Sequence, residues 1–481
     1  MLMQPSITAH DYSRLRHSRV ALAHSVSPAA WRSALEVRSA YAVTASAIRV
    51  GAAVLIVLIG GGLLDLPQLS GFAALGALSS AFARNEPYRQ LAVKVALIGV
   101  GVVAYVGLGA GLGVAGLPGG VVITALAVAA GVAFWLLGAF RIPGPGPVIL
   151  IFAASGAAGF ATTAADLWFA VAAAAIGAVA GWAMTMSPAL LHPHGPSRIA
   201  VARALAAVSA LETASAGVRE SARSAARAAI ARARETIALA EPDPGKHSRE
   251  LLALLDAAET VVDTGTYDHV LARGEDFELL ETELRKVRRD IEIPCVGAAI
   301  GDISAELARP ENFLRTGVRA LREPGLLAGV ARVVVASLAA GWIAFVLGVQ
   351  HPLWATMGAM AVLQGANYHH TVQRAIQRLL GNAAGALLAA AMFAAALGYW
   401  PLVVVITVGQ VLAEMYVVRN YAIASIAVTT VALLLTGLGQ PVGAAVAAGR
   451  VVDTLIGAVV GVLVAALTIA RGDRHFASAA G

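Results

Sequence analysis

The chain has 481 residues, of which 58% are hydrophobic and only 13% charged, and its formal net charge is +6. An ordinary globular domain carries about 25% charged residues, so this composition excludes a wholly soluble protein and indicates one embedded in a membrane. The charge is segregated, with a net of −3 over residues 198–323 and +9 over the remainder, which favours positive-inside membrane anchoring over nucleic-acid binding.

Residues 1–40 are polar and basic, and we expect them to form a cytoplasmic arm with some helix near the membrane. No apolar core precedes Tyr41, so we expect no cleavable signal peptide and a first span that directs insertion. The single cysteine, Cys295, excludes an intrachain disulfide and a cysteine-rich metal site, and it fits a reducing compartment.

Six apolar segments follow the arm, and six more follow a charged middle section. Most approach the roughly 20 residues that an α-helix needs to cross the hydrocarbon layer, although the second of each group is short. We therefore predict an all-α polytopic membrane protein with two six-span repeats, over residues 41–190 and 326–470. The twelve predicted spans are 42–63, 67–83, 91–115, 119–140, 146–164, 167–187, 326–348, 352–367, 374–398, 401–418, 420–438 and 442–470.

Residues 191–325, between the two groups, are charged and amphipathic, and they predict a soluble helical cytoplasmic domain. Within this stretch Glu281 and Arg285 form an i,i+4 pair in the favourable order. The arginines Arg219, Arg223 and Arg227 share one helix face, which is most simply a solvated face.

The basic residues fix one orientation by the positive-inside rule. Lysines and arginines precede the first span of each group, separate spans 2 and 3 and spans 4 and 5, and follow the last span. The opposite loops carry Asp65, Asp166 and His351 and neither Lys nor Arg. We therefore place the chain in the plasma membrane with both termini, including the tail at 471–481, and the middle domain in the cytoplasm.

The two groups look like copies of one repeat. An even number of spans in each copy makes them parallel repeats, which is a known transporter plan. Small residues four apart on the sixth span of each copy predict close helix contact. The matched positions are Arg49 with Arg332, Leu66-Pro67-Gln68 with His351-Pro352-Leu353, Lys94 with Arg378, Gly177 with Gly457 and Gly181 with Gly461.

The second copy carries a motif over residues 351–385. It consists of His351-Pro352-Leu353-Trp354-Ala355 and then Thr371-x2-Arg374-x3-Arg378-x2-Gly381-Asn382-x2-Gly385. With this motif the chain resembles the fusaric acid resistance protein-like family, also called the aromatic acid exporter family, and its integral membrane-bound transporter domain. The resemblance implies two six-span halves, a cytoplasmic domain and export of aromatic carboxylic acids, while plant relatives are associated with anion channels. The first copy departs from the motif because it lacks the His and the Trp.

A charge at membrane depth costs about 2.5–3.5 kcal/mol, so each polar group inside a span is a candidate for a transport pathway. Arg450 and Asp453 lie three residues apart on one helix face. They are either a mutually neutralising pair or a pair that responds to protons or substrate. Glu414 follows Gln410 by four residues, and it either pairs with a base such as Arg419 or carries a proton.

The inner end of the eighth span is the richest polar stretch, with Gln364, Asn367, His370, Arg374 and Arg378. These residues either anchor the chain at the inner leaflet or form a pathway mouth that attracts an anion. His369 and His370 are adjacent and point about 100° apart on a helix, which disfavours a shared metal.

The outer end of the same span begins with His351 and Trp354. The tryptophan is either an interfacial anchor or a part of the pathway wall. Short spans at corresponding places in two halves point to a transport site, and the spans that begin at Pro67 and Pro352 fit that pattern.

The sequence has no phosphate-binding, nucleophile-elbow or metalloprotease motif, so it supports no enzymatic or ATP-driven activity and no cofactor. We predict a secondary transporter or exporter of small organic, aromatic anions, with proton coupling left open. An anion channel and a non-transporting scaffold that acts through its cytoplasmic domain are the alternatives. The expected partners are the lipid bilayer and the anion, without nucleic acid, and the sequence leaves open whether the chain forms a homo-oligomer.

Overall fold

The structure is a computed structural model, and it describes residues 14–37, 44–83, 86–142, 144–241, 245–264, 277–286, 313–365, 367–438 and 444–469. Over these ranges the chain forms α-helices, a short 3-10 helix at Leu78–Phe82 and no strand, so the predicted all-α class is confirmed. Cys295 and the predicted tail at 471–481 lie outside the described residues.

The helices follow the predicted segments closely. They are α1 (Arg14–Ser25), α2 (Pro28–Leu35), α3 (Thr44–Leu63), α4 (Pro67–Ala77), α5 (Tyr88–Val114), α6 (Gly119–Ala139), α7 (Val148–Phe160), α8 (Ala164–Leu191), α9 (Gly195–Glu212), α10 (Arg219–Ala240), α11 (Lys246–Thr264), α12 (Phe277–Arg285), α13 (Phe313–Ala320), α14 (Pro324–Val346), α15 (Pro352–Val362), α16 (Tyr368–Ala394), α17 (Tyr399–Tyr416), α18 (Tyr421–Gly437) and α19 (Ala444–Leu467). Both α4 and α15 begin with a proline, which suits the first position of a helix because its missing N–H has no partner there anyway.

Eight described helices are long and apolar enough to cross a membrane, namely α3, α5, α6, α8, α14, α16, α17 and α19. This agrees with the predicted multi-pass membrane protein. The other four predicted spans are shorter helices: α4 and α15 have 11 residues each, α7 has 13 and α18 has 17. An 11-residue helix rises only about 16 Å, against about 30 Å for the hydrocarbon layer, so the count of twelve crossings stays a prediction.

The chain forms two compact units, one of residues 1–82, 98–181 and 317–481 and one of residues 83–97 and 182–316. In the second unit, helices α9 to α12 share an apolar core that includes the fully buried Leu205 and Ile230. The predicted Glu281–Arg285 pair forms there at 2.5 Å. The boundaries predicted for the middle domain and its cytoplasmic location stay predictions.

Small residues set the spacing between helices in the first unit. A Cβ on Gly177 of α8 would overlap the carbonyl oxygen of Ala73 on α4. On α19, a Cβ on Gly457 would lie 2.7 Å from the carbonyl oxygen of Ala355 on α15. Only glycine permits this approach without a shift of the backbone, so the close helix contact predicted for these glycines is confirmed.

The first helix of each predicted copy packs against the fourth helix of the other copy, α3 against α17 and α14 against α6. Tyr399 on α17 donates its hydroxyl to the carbonyl oxygen of Leu58 on α3 at 2.6 Å. Trp342 on α14 donates its Nε1–H to Oγ1 of Thr124 on α6 at 3.3 Å. The packing is reciprocal. It leaves α15, α16, α18 and α19 as a group in which α16 contacts the other three helices and α19 contacts α15 and α16.

Candidate functional site

Three helices of that group, α16, α18 and α19, turn polar side chains toward one another. The residues on each helix are four apart, so they lie one above another on a single face. All of them are buried apart from Arg374 and Tyr421, which are partly buried. We call this set the polar column: Arg374, Arg378 and Asn382 on α16, Tyr421, Ser425 and Thr429 on α18, and Arg450 and Thr454 on α19.

One end of the polar column is built around the phenol of Tyr421. The guanidinium of Arg374 lies over its ring, with 4.4 Å from Cζ to the ring centroid. Nη1 of Arg378 donates to the Tyr421 hydroxyl at 3.0 Å. Arg374 is also tied to the end of α15, because its Nε donates to the Ala361 carbonyl oxygen at 3.2 Å and its Nη2 to Oε1 of Gln364 at 3.3 Å. Tyr421 therefore joins two cations through its ring face and its oxygen.

The middle of the polar column is a closed hydrogen-bond network. Asn382 donates its Nδ2–H to Oγ1 of Thr454 at 2.8 Å, and its Oδ1 accepts from the Thr429 hydroxyl at 2.7 Å. Thr454 in turn donates to the carbonyl oxygen of Arg450 at 2.7 Å. A buried amide without such partners would be costly, and this network satisfies it while linking all three helices.

The other end of the polar column meets the start of α15. The guanidinium of Arg450 lies over the indole of Trp354, 4.7 Å from the ring centroid, and the Trp354 ring lies 4.6 Å from that of His351. Burial, and then the nearby charge of Arg450, lowers the pKa of His351. Trp354 is only 7% exposed, so it packs inside the protein. From Ala361 to Trp354, α15 rises about 10 Å, which is the length over which the column follows this helix.

Asp453 and Arg450 are near enough for their charges to interact, but they form no direct ion pair, and both roles predicted for them stay predictions. Asp453 is 0% exposed, and neither of its carboxylate oxygens has a hydrogen-bond partner. Arg450 instead turns to Trp354, and its Nε and the Nε of Arg378 are likewise buried without a partner. Among the described residues no ion pair joins Arg374, Arg378 or Arg450 to a carboxylate. Arg378, Arg450 and Asp453 are thus buried, and each has at least one polar atom without a hydrogen-bond partner.

A pocket of about 220 Å³ opens at the Tyr421 end of the column. It is smaller than the roughly 300–1,000 Å³ of pockets for drug-sized ligands, so it suits a small molecule. Side-chain amides, hydroxyl and basic groups dominate its wall. The lining residues are Glu36, Gln364, Gly365, His370, Gln373, Arg374, Gln377, Val417, Val418, Arg419, Asn420 and Tyr421.

The structure separates the predicted pathway residues into three groups. His351, Trp354, Arg374, Arg378 and Arg450 meet along the polar column, with Asp453 one turn away on α19. Gln364 and His370 line the pocket.

The remaining three residues have local partners. Asn367 caps α16 by accepting from the backbone N–H of His370 at 2.9 Å. Gln410 donates to Glu414 on α17 itself at 3.3 Å. In the part of the chain that the structure covers, no group of His, Cys, Asp and Glu has the arrangement of a metal site.

Sequence reasoning missed Tyr421 and the threonines of the network. A signal was present, because Tyr421, Ser425 and Thr429 recur every fourth residue on a mostly apolar helix. Thr454 likewise follows Arg450 by four residues. Asn382 belongs to the motif but was not singled out, since nothing in its sequence context identifies two threonines as its partners.

The comparison with protein families finds a match in the second half of the chain. Residues 338–464 match the model of the fusaric acid resistance protein-like family, a range that contains the whole polar column, so the resemblance based on residues 351–385 is confirmed. The chain is also similar to an uncharacterized membrane protein, YvaC, of Bacillus subtilis (strain 168). The two are 24% identical over an alignment of 432 residues, and the match covers 81% of this chain and 67% of that protein. No solved structure matches.

Proposed function

We propose that this chain is a secondary transporter that moves small organic anions along the polar column, and that aromatic carboxylates are among them. The observation that carries the proposal is the pair Arg378 and Arg450. They are 5% and 6% exposed, each has an Nε without a partner, and neither forms an ion pair with a described carboxylate. A buried cation is costly without a counter-charge, and a mobile anion supplies one.

The arrangement also offers an anion successive weak sites. The pocket holds Arg374 and Arg419 at its wall, Arg378 follows one turn further along α16, and Arg450 lies at the far end beside Trp354. Conduction requires binding strong enough to admit the ion and weak enough to release it, and several sites in a row meet that need. The aromatic class rests on the family resemblance and on the rings of Tyr421 and Trp354 beside the cations.

Asp453 is the group that we assign to proton coupling. An ionised carboxylate without any hydrogen-bond donor is expensive in a dry interior, and a proton removes that charge. Asp453 lies on α19 beside Arg450, so its protonation would change the field at the last cation of the column. Glu414 is the second candidate for this role. It lies on α17, not on α19, and accepts a hydrogen bond from Gln410 of the same helix.

We further propose twelve crossings arranged as two parallel repeats, with both termini and the middle domain in the cytoplasm. Support comes from the reciprocal packing of α3 against α17 and of α14 against α6. It also comes from the matched glycine contacts of α8 and α19 and from the proline starts of α4 and α15. The distribution of Lys and Arg supports the orientation, and a homo-oligomer stays a prediction.

The test is flux of labelled benzoate, an aromatic monocarboxylate, into vesicles that contain the purified chain, with and without an imposed proton gradient. We expect gradient-driven flux, a loss of about 100-fold in Arg378→Gln and Arg450→Gln, and little change in Arg141→Gln, an exposed arginine of the first half. Asp453→Asn should remove the response to the gradient while anion exchange continues.

Three outcomes would replace the proposal. An absence of flux over a panel of organic anions, under both conditions, would refute transport. Conductance that survives collapse of the gradient would identify an anion channel. Loss of function on deletion of residues 198–323, together with full function of Arg450→Ala and Asp453→Ala, would identify a scaffold.

A further inference from the structure

The N-terminal helices α1 and α2 contact other helices of the first unit at several points. The hydroxyl of Ser18 donates to the carbonyl oxygen of Ala466 on α19 at 2.8 Å. The rings of His24 and His369 share a hydrogen bond of 2.9 Å between Nε2 and Nδ1. Ala34 on α2 is 0% exposed. The arm formed by α1 and α2 is therefore a packed part of this unit.

Three side-chain amides hold the C-terminal end of α2. Nε2 of Gln373 donates to the carbonyl oxygen of Ser33 at 2.6 Å, and Nε2 of Gln377 donates to that of Ala34 at 2.8 Å. Nδ2 of Asn420 donates to the carbonyl oxygen of Glu36 at 3.0 Å and more weakly to that of Ala34 at 3.4 Å. The last carbonyl groups of a helix lack partners within it, so these amides complete the end of α2 from outside.

The same amides also line the pocket at the end of the polar column. Gln373, Gln377 and Asn420 are on its wall together with Arg374, and so is Glu36, the residue that directly follows α2. The residues that hold α2 in place are thus the residues that an anion would meet in the pocket. Docking of the arm and access to the pocket therefore depend on the same three side chains.

We propose that α1 and α2 form a lid that, when docked, narrows access to the pocket at the entrance to the polar column. The inference rests on the proposed function, because a lid on this pocket regulates the anion path. The attachment is made by hydrogen bonds from the three amides, from Ser18 and between His24 and His369, together with alanine contacts. Hydrogen bonds of this kind can be exchanged for bonds to water on release, so breaking each one has a small net cost.

A bound anion supplies the force that opens the lid. An anion held by Arg374 and Arg419 would share the pocket with Glu36 of the arm. Like charges at close range repel, so filling the pocket favours departure of the arm. An empty pocket leaves the amides free to hold α2.

The test uses isosteric substitutions that replace the donors to the arm by carboxylates, which cannot donate. Asn420→Asp keeps the side-chain oxygen that caps α18 by accepting from the N–H of Ala422, but it cannot donate to the arm. Gln377→Glu removes a second donor with almost no change in shape. Asn367→Asp is the matched control, because Asn367 caps α16 in the same way, through its side-chain oxygen.

Two cysteines report on the arm and the pocket in a Cys295→Ser chain, which has no other cysteine. Ala34→Cys reports docking of α2, and Val417→Cys reports access to the pocket. Ala30→Cys, also buried, replaces Ala34→Cys where that change by itself loosens the arm. The full-length chain in vesicles is labelled with a sulfonated, membrane-impermeant thiol reagent, and the labelling rates are compared.

The lid predicts that the Asn420→Asp, Gln377→Glu chain labels at least about tenfold faster at both positions, while Asn367→Asp labels at the parent rate. Unchanged labelling at both positions overturns the docking role of the amides, and faster labelling at Ala34→Cys alone overturns the lid. If both positions label faster and neither the parent nor the variant moves any anion, the proposed function fails and the lid remains.

Discussion

The short helices α4 and α15 make similar backbone contacts with a neighbouring helix, but the side chains near the two contacts differ in polarity. The carbonyl of Ala73 on α4 meets Gly177 of α8, as the carbonyl of Ala355 on α15 meets Gly457 of α19. Seven residues before each glycine, α8 carries Ala170 and α19 carries Arg450. Four residues before it, the pair is Ala173 and Asp453. The same contact is thus built once with alanines and once with charges.

The neighbouring aromatic residues differ in the same sense. Phe72, which precedes Ala73, lies 5.1 Å from the ring of Phe160, whereas Trp354, which precedes Ala355, lies under a guanidinium. The first half shows that the contact between the short helix and the glycine forms without buried charges. The buried charges of the second half therefore call for an explanation other than packing, and the proposed anion path is one.

The largest expected effect compares Phe72→Ala with Trp354→Ala. Both residues are buried, and truncation of a buried aromatic residue to alanine costs about 3–5 kcal/mol of stability. We expect similar losses in the unfolding free energy, measured in detergent or bicelles. Benzoate flux per folded molecule should fall only for Trp354→Ala, because that substitution alone exposes a cation of the column.

Trp354→Phe is the control for that comparison. It keeps a ring face for Arg450 and should retain most of the flux, since the cation–π contact survives in weaker form. Equal flux per folded molecule in Phe72→Ala and Trp354→Ala would remove Trp354 from the pathway and make the two halves functionally alike.

The second effect comes from converting the second half to the chemistry of the first. Arg450→Ala with Asp453→Ala reproduces Ala170 and Ala173. We expect the folded yield to stay close to that of the parent, because replacing buried charges by apolar residues is often neutral or stabilising. Flux should fall about 100-fold, which corresponds to about 2.7 kcal/mol in the barrier. A chain that fails to fold would mean that the charges hold the second half together.

Much of the helical frame could be predicted from the sequence because it depends on local signals. Apolar length and prolines at helix starts identified the helices, and glycines four apart predicted a close helix contact on α8 and on α19 without naming the partner helix. The predicted segments were several residues longer than helices α4, α7 and α15, because hydropathy continues through residues that end a helix by geometry. Ala161, for example, adopts an extended conformation directly after α7 although it is apolar.

The candidate site was only partly predictable because its partners are distant in sequence. The three-residue spacing of Arg450 and Asp453 placed them on one helix face but could not reveal that Arg450 turns to Trp354, almost 100 residues earlier. Gln373 and Gln377 bind carbonyl groups more than 300 positions away. Backbone carbonyls leave no mark in a sequence, so the docking of α2 had no signal to find.

The third effect tests how closely the helices pack at the two glycine contacts. Gly177→Ala and Gly457→Ala each place a methyl group against a backbone carbonyl, and overpacking of this kind costs about 1–3 kcal/mol. We expect the larger loss of stability in Gly177→Ala, because its new Cβ overlaps the Ala73 oxygen more deeply than that of Gly457→Ala overlaps Ala355. Thermal unfolding measured side by side decides the order. A greater loss for Gly457→Ala would mean that the second half is the more tightly built of the two.

The smallest effect concerns His351, whose match in the first half is Leu66. Burial and then the charge of Arg450 hold the His351 pKa below its ordinary value of 6.5. Between 6.5 and that lowered pKa the unfolded chain therefore binds more protons than the folded chain, and stability falls as pH falls through this window. His351→Leu should flatten this part of the curve of melting temperature against pH, and Arg450→Ala should flatten it less, because burial is the larger cause. A parent and a His351→Leu chain with identical pH dependence would mean that His351 titrates as freely in the folded protein as in the unfolded one, and the link between this residue and Arg450 would be lost.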